Sequence, residues 1–451
     1  MAQAQGFYWE RQPAAEQIVL DLLADCRRQS AALALFEARL IRQTSGRLLD
    51  WVDHLLLRDS RQLSDKLTGL GFVVKPSSGQ DVWQHPGTQL PRVVLSRRAE
   101  LPETGLALRM ENLSGFLQAN GYQAEIEGEP FHPFRSARLK NETGIALLAV
   151  ERRGSADFVP ARVPAGYLHA YLSAAELWQT RPRFNDNEEQ LWEDIFRRVD
   201  SMISLLDSGP AAQLVCQGER SYWLTRNFAG RLQQGRQDTL GLGIANEDHL
   251  TFRSSRRHFR KLVELFSRLG FTSRERFYAG KEAGWGAQIM ENSAAGQILF
   301  LDVDLAPEEV AVDFSRQDLP EREQLGTVGL WCALHGDSIF GAGLHHLAAR
   351  FDFDRLISDL AGHGVEYMVP FSDFPYLRQA FSVAERWGVD PDRLTKLVQE
   401  KRLSSEQAER FLVQGAVGSH LENIERREGY KGFNRKNVSA IILQTDPRMT
   451  A

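Results

Sequence analysis

Cysteine is scarce in this chain: three residues in 451, Cys26, Cys216 and Cys332, far apart and odd in number. That count excludes a disulfide framework or a cysteine-rich zinc site and suits a reducing compartment. Long apolar runs are missing too. None approaches the roughly 20 residues a membrane helix needs, and the N-terminus has no basic region leading into an apolar stretch. The expected location is the cytoplasm, with no membrane partner. Basic charge is also in short supply. Lys and Arg total 54 against 59 Asp and Glu, for a formal net charge of -5. A nucleic-acid binder carries a basic stripe, so nucleic acid is not an expected partner. What remains is a globular chain, 43% hydrophobic and 25% charged, long enough for two or three cores.

Its patterning is repetitive. Residues 1–50 read as N-terminal helices, with Ile18, Leu20, Leu22, Leu23, Leu33, Leu35, Phe36 and Leu40 at helical spacings. From Trp51 the order becomes β-α-β-β-β. A strand at Val52–Leu57 leads to a helix at Ser60–Leu70, a stop at Gly71 and three extended pieces. The order recurs from Gly105, with Gly121 as its stop, and the two copies fill residues 51–154. Residues 155–245 read as a helical connector, clearest at Leu191–Leu206. At Asp248 the order returns, and Asp248-His-Leu echoes Asp53-His-Leu as Leu269-Gly-Phe echoes Leu70-Gly-Phe. Such internal similarity governs the fold assignment. A fourth copy opens at Gly343 and is interrupted by an expected helical insertion at 376–415, comprising Leu377–Trp387, Asp390–Glu400 and Ser404–Val413. The final strands are then Leu421–Ile424 and Val438–Leu443, within a second pair spanning 246–451.

One carboxylate in this last pair needs a reason. Glu422 sits in an apolar strand-like run between Leu421 and Ile424. Upstream, Asp248-His249-Leu and Leu344-His345-His346-Leu each place imidazole at the start of a strand. Two imidazoles and one carboxylate from three strands form a facial ligand set with open positions, the kind that suits non-haem Fe(II). Singly, each histidine reads as well as a hydrogen-bonded structural residue; the set is what points to a metal. Residues i and i+4 of a strand share a face, so Arg253 reads either as looking into the same cup as His249, where its planar fork suits a carboxylate, or as a surface ion-pair partner. Gln288 and Asn292 read either as cup-lining residues or as polar edge groups. His420 reads as a packing or capping residue. His54 suggests a second site, but the partner module opens Gly105-Leu-Ala-Leu with no histidine, which favours a retired structural copy.

Four β-α-β-β-β modules resemble the vicinal oxygen chelate superfamily, which implies an α+β fold with the modules paired into two cupped half-barrels. Glu422-Asn-Ile-Glu-Arg, Gly429 and Gly432-Phe433 resemble the C-terminal signature of 4-hydroxyphenylpyruvate dioxygenase and hydroxymandelate synthase. Gly343-Leu-His-His-Leu-Ala348 is similar to that family's Gly-Val-Gln-His-Ile-Ala strand, which makes His346 the ligand and leaves His345 facing the other side of the sheet. Asp248-His249-Leu is similar to its Asp-His-Val strand. The resemblance implies Fe(II) held by His249, His346 and Glu422, with Phe433 closing the cavity. The family's Gly-Tyr-Leu-Leu-Gln-Ile-Phe strand finds no counterpart here, its place being taken by the helical insertion. His249-Leu-Thr-Phe-Arg253 is similar to the His-x-x-x-Arg strand of the 2-oxoadipate dioxygenase/decarboxylase family, which implies that Arg253 binds a substrate carboxylate. The implied activity is an Fe(II)-dependent dioxygenase acting on a small 2-oxo acid and O2. The alternatives are a metal-dependent isomerase or lyase of the same superfamily and a non-catalytic ligand-binding protein. The sequence leaves a homo-oligomer open.

Overall fold

The computed structural model describes residues 8–77, 80–96, 104–142, 145–281, 283–434 and 445–448. The chain opens with two helices, Pro13–Gln29 and Ala31–Thr44, parted by Ser30, whose hydroxyl accepts from the Leu33 amide and starts the second. Their apolar faces, including Ile18, Leu23, Phe36 and Leu40, pack into the core of the first sheet.

Two eight-stranded mixed sheets follow, built alike. In the first, Val73–Ser77, Gln80–Gln84, Arg92–Ser96 and Val52–Arg58 are followed across the sheet by Thr104–Met110, Ile145–Arg152, Phe134–Glu142 and Ile126–Glu127. The second runs Thr272–Tyr278, Trp285–Asn292, Gln297–Asp304, Glu247–Arg253, His346–Arg350, His420–Arg426, Leu377–Phe381 and Ser372–Phe374. In each sheet the opening strands of two modules pair antiparallel at the centre. Each opening strand is flanked on its other side by the last strand of its own module, in parallel. This is the expected α+β architecture of four β-α-β-β-β modules paired into two cupped sheets, and neither sheet closes into a barrel.

The repeated Leu-Gly-Phe is a helix stop. Gly71 and Gly270 take φ of 84° and 81°, left-handed values at which a helix ends and glycine is favoured. Strand alternation then divides the faces. Leu250 and Phe252 join Phe259, Leu262 and Phe266 of the helix Phe259–Arg268 in the core behind the second sheet, which leaves His249, Thr251 and Arg253 on its cupped side.

Residues 155–245 hold four helices, Tyr167–Gln179, Glu188–Leu206, Ser208–Leu224 and Phe228–Asp238. Buried Glu219 anchors this layer: it accepts from Trp178 Nε1, Arg181 and Arg183, and the two arginines also donate to the carbonyls of Ile339 and Phe340.

The reading of 376–415 as wholly helical needs correction. Pro391–Gln399 and Ser405–Gln414 are helices, the latter with a Ser404/Gln407 capping box. Leu377–Phe381, however, is a strand paired antiparallel with His420–Arg426, and Arg386–Trp387 pairs with Ala416–Val417. Tertiary pairing overrides local periodicity here, because the Glu422 strand would otherwise lack a neighbour on that side. The expected strand Val438–Leu443 lies outside the described residues.

Candidate metal centre

Three adjacent strands of the second sheet bring the centre together through their register. His249 lies opposite Ala348, and Ala348 opposite Glu422. The small side chain between them lets the imidazole and the carboxylate converge over it, with His346 two residues back on the same face. Glu422 Oε2 lies 3.3 Å from His249 Nε2 and 3.1 Å from His346 Nε2. One ligand atom from each of the three falls within 4.8 Å of the other two, and all three side chains are buried.

Each candidate ligand is held from behind. Asp248 accepts the Nδ1 hydrogen of His249 at 3.0 Å and is gripped by Arg426 through Nε at 2.8 Å and Nη2 at 3.0 Å. This fixes the His249 tautomer, with the Nε2 lone pair toward Glu422. Gln379 donates to Glu422 Oε1 at 2.7 Å, leaving Oε2 toward the histidines. His346 Nε2 also meets the Thr251 hydroxyl at 2.7 Å, while its Nδ1 meets His345 Nδ1 at 2.9 Å. His345 therefore does not face the far side of the sheet: it precedes the strand, borders the cavity and supports His346. His420 donates from Nδ1 to the Ser382 carbonyl, in keeping with a packing role.

Burial alone would depress the His249 imidazole, but the Glu422 carboxylate outweighs it, with help from Asp248, and raises its pKa to about 9. Glu422 is driven up by burial and down by both imidazoles, and the imidazoles win, holding it well below the usual carboxylate range. His346 is pushed down by burial to about 4. A buried carboxylate facing two imidazoles is the donor chemistry of a divalent-metal site.

The three residues open onto a cavity of about 80 Å³ with aromatic walls. Phe300 and Phe433 meet edge to face at 4.5 Å, and their ring centroids lie 4.6 and 5.4 Å from that of His249. Phe433 thus borders the cavity. Arg253 borders the same cavity, 3% exposed, and its Nε and Nη1 have no hydrogen-bond partner. Asp302, its register partner on the next strand, also borders the cavity, and its Oδ1 has no partner. Burial pushes the Asp302 carboxyl up to about 7, against the pull of Arg253. Gln288 and Asn292 do not border the cavity: Gln288 donates to the Glu275 and Ile289 carbonyls, and Asn292 accepts from two amides of the following turn.

Gln379 and Asp302 escaped sequence reasoning. The signal for Gln379 was present: Tyr376-Leu-Arg-Gln-Ala-Phe381 carries the Tyr, Leu, Gln and Phe of the strand that had no apparent counterpart. Asp302 had no local signal, because its environment is set by a strand pairing.

No protein-family model matches this sequence, and no curated protein matches it. Solved structures do align. A triple mutant of 4-hydroxymandelate synthase from Streptomyces coelicolor is 15% identical, with 89% of this chain and 99% of that one covered and a TM-score of 0.29. Methylmalonyl-CoA epimerase from Mycobacterium tuberculosis is 14% identical over 41% of this chain and 89% of its own, at 0.23. Glyoxalase I from Zea mays is 19% identical over 23% and 43%, at 0.19. Likenesses this distant carry no functional weight. No described helix is long and apolar enough to cross a membrane.

Proposed function

We propose that His249, His346 and Glu422 hold one Fe(II), and that the protein is a dioxygenase of a 2-oxo acid. In the net reaction CO2 leaves, one atom of O2 enters the new carboxylate, and the other becomes a hydroxyl on the same molecule. The observation that carries this reading is the convergence of the three ligand atoms at the floor of an aromatic cavity. Ligands at about 2.1 Å from a metal and at right angles to each other stand roughly 3 Å apart, close to the 3.1 and 3.3 Å separations here. Two imidazoles and one carboxylate also leave coordination positions free for substrate and O2.

When bound, Fe(II) would supply the activation of O2, whose four electrons come from the substrate, two from decarboxylation and two from hydroxylation. The chain does the rest. Asp248 and Gln379 orient two ligands, and the walls of Phe300, Phe381 and Phe433 exclude water, with Phe433 closing the cavity. Arg253, a buried cation with free donors, binds a substrate carboxylate.

A second reading, a metal-dependent isomerase or lyase, draws on Asp302. A buried carboxyl that titrates near pH 7 suits proton transfer to or from a substrate carbon. Metal analysis of the purified protein, with O2 uptake and CO2 release measured across a panel of 2-oxo acids, tests the proposal. Equal uptake and release with one substrate supports it. Metal binding with solvent hydrogen exchange into the substrate and no O2 uptake replaces it with the second reading. If no metal binds and H249A, H346A and E422A leave ligand binding intact, the protein is a non-catalytic binder.

A further inference from the structure

A second cavity, about 20 Å³, lies between the two sheets and shares no lining residue with the metal centre. Its walls come from the ends of Thr104–Met110 and Ile145–Arg152, the helix Ser208–Leu224, and the starts of Glu247–Arg253 and Gln297–Asp304. The volume suits roughly one or two waters, or one small ion.

Four arginines border it, and three are matched. Arg152 lies 2.6 Å from Asp53, Arg153 lies 2.6 Å from Glu151, and Arg220 holds both Glu247 and Glu111. The fourth, Arg109, has no carboxylate within 4 Å and donates no hydrogen bond among the described residues. Glu111 and Glu247 are the carboxylates on the wall, and Arg220 engages both; Asp53 is shared by Arg152 and Arg92 and Glu151 by Arg153 and Arg135, so with Arg109 six arginines meet four carboxylates.

The sheet repeat supplies an internal control. Ala107 faces His54 as Ala348 faces His249, so Arg109 holds the position that Arg350 holds in the second sheet. Arg350 has the Asp248 carboxylate at 3.8 Å and the Glu247 carbonyl at 3.5 Å. In both sheets that acid is gripped by Nε and Nη2 of a further arginine, Asp53 by Arg152 and Asp248 by Arg426; only in the second does the arginine at this position also come within 4 Å of it.

The other polar groups of the wall are also unsatisfied. The side-chain oxygens of Gln213 and Gln297 are buried without partners, and neither amide nitrogen donates to a described residue. A turn of either terminal amide presents its nitrogen in place of its oxygen. Gly296, at φ 66°, lets the guanidinium lie close: a Cβ there would come within 3.3 Å of Arg109 Nη1. With both amides turned, the cavity offers the guanidinium and two amide nitrogens as donors, while its carboxylates, Glu111 and Glu247, are held by Arg220.

We propose that this cavity binds a small monovalent oxyanion of the size of formate, nitrate or bicarbonate. Arg109 grips it through two parallel N–H···O bonds, and the amides of Gln213 and Gln297 complete its shell. The ion ties the first sheet, the helical layer and the second sheet together, and it stabilises the folded chain by mass action. The inference is independent of the metal centre.

Thermal unfolding of the full chain in sodium formate, at ionic strength held constant with sodium gluconate, tests it, because gluconate is too large for the cavity. A saturable rise in Tm is expected, roughly 3 °C at a hundredfold excess over Kd, and R109Q abolishes it. Should R109Q fail to fold, Q297L keeps the test alive by requiring at least tenfold more formate for the same rise. No rise in the wild type, an equal rise in gluconate, or an unchanged response in both variants overturns the proposal. So does a formate-soaked crystal with only water beside Arg109.

Discussion

The two sheets carry the same triplet and use it differently. Asp53, His54 and Arg152 in the first sheet repeat Asp248, His249 and Arg426 in the second: histidine Nδ1 donates to the carboxylate at 2.7 and 3.0 Å, and arginine grips that carboxylate from behind in both. Yet the two imidazoles are driven in opposite directions. Burial holds His54 below its ordinary value despite Asp53, whereas His249 is raised to about 9. The difference lies across the sheet. Following the register from His54 through Ala107 leads to Leu148, and from His249 through Ala348 to Glu422. Two residues before each alanine stand Gly105 and His346. The carboxylate and arginine behind the histidine are therefore present in both halves, while the first has neither the second imidazole nor the facing carboxylate. There Phe158 packs edge to face on His54 at 4.9 Å, with Arg92 and Arg152 over the Phe158 ring. An Asp-His-Arg triplet alone is a structural unit; the facing carboxylate and second imidazole are what give the second sheet a ligand set that could hold a metal ion.

The largest effect is expected where the second sheet is given the first sheet's residue. E422L should abolish stoichiometric metal binding, measured by elemental analysis after dialysis. In the metal-free protein it should also bring His249 down to a His54-like titration, followed by NMR of the imidazole. In the wild type the folded value near 9 exceeds the unfolded value of about 6.5. The stabilisation from the His249–Glu422 pair is then fully present below about pH 6.5 and lost as pH rises through 9. Metal competes with that proton, so affinity should climb with pH over the same window. An E422L protein that still binds one metal per chain removes the distinction between the sheets.

Next come the acids of the triplets. D248N and D53N each leave a buried arginine without its carboxylate, and each should lower stability by about 3 kcal/mol in denaturant unfolding. Only D248N should also weaken metal binding, by roughly tenfold to a hundredfold. Equal metal affinity in the two variants would mean that Asp248 does not orient His249. Rebuilding the vacant site should fail. In G105H/L148E, a Cβ at position 105 would meet the Ala146 carbonyl and Leu56 Cβ at 3.1 Å. The double variant is expected to lose stability and gain no second metal, and two ions per chain would refute that steric account.

Much of this contrast was legible in the sequence. The repeat and the Leu-Gly-Phe stops follow from spacing, because strand alternation and left-handed glycines are local properties, while the choice of His346 over His345 rested on the family resemblance. His54 could be set aside because the partner strand, opening Gly105-Leu-Ala-Leu, carries no histidine. The strand Leu377–Phe381 was not, since five residues beside two real helices, one of them polar and buried, look helical until the unpaired edge of His420–Arg426 demands a partner. Asp302 and Arg109 were illegible for a related reason: what matters about each is a partner it lacks, and only the folded packing decides that.

The smallest expected effect belongs to the residue that this missed strand contributes. Gln379 lies opposite Ile424, and the matching position of the first sheet, opposite Val150, is Ser136. Ser136 is too short to reach across to residue 148, which as leucine has no need of a donor. Q379S thus imports the first sheet's residue without touching a ligand. Glu422 Oε1 loses its 2.7 Å amide donor and becomes free to turn toward the histidines, so the carboxylate keeps its charge but loses its fixed orientation. The expected cost is about tenfold in metal affinity by chelator competition, at the low end of what supporting residues contribute, with one ion still bound per chain. Complete loss of metal would make Gln379 as necessary as a ligand. An unchanged affinity would mean that the histidines alone orient Glu422, leaving the third strand as a wall of the cavity and no part of its metal chemistry.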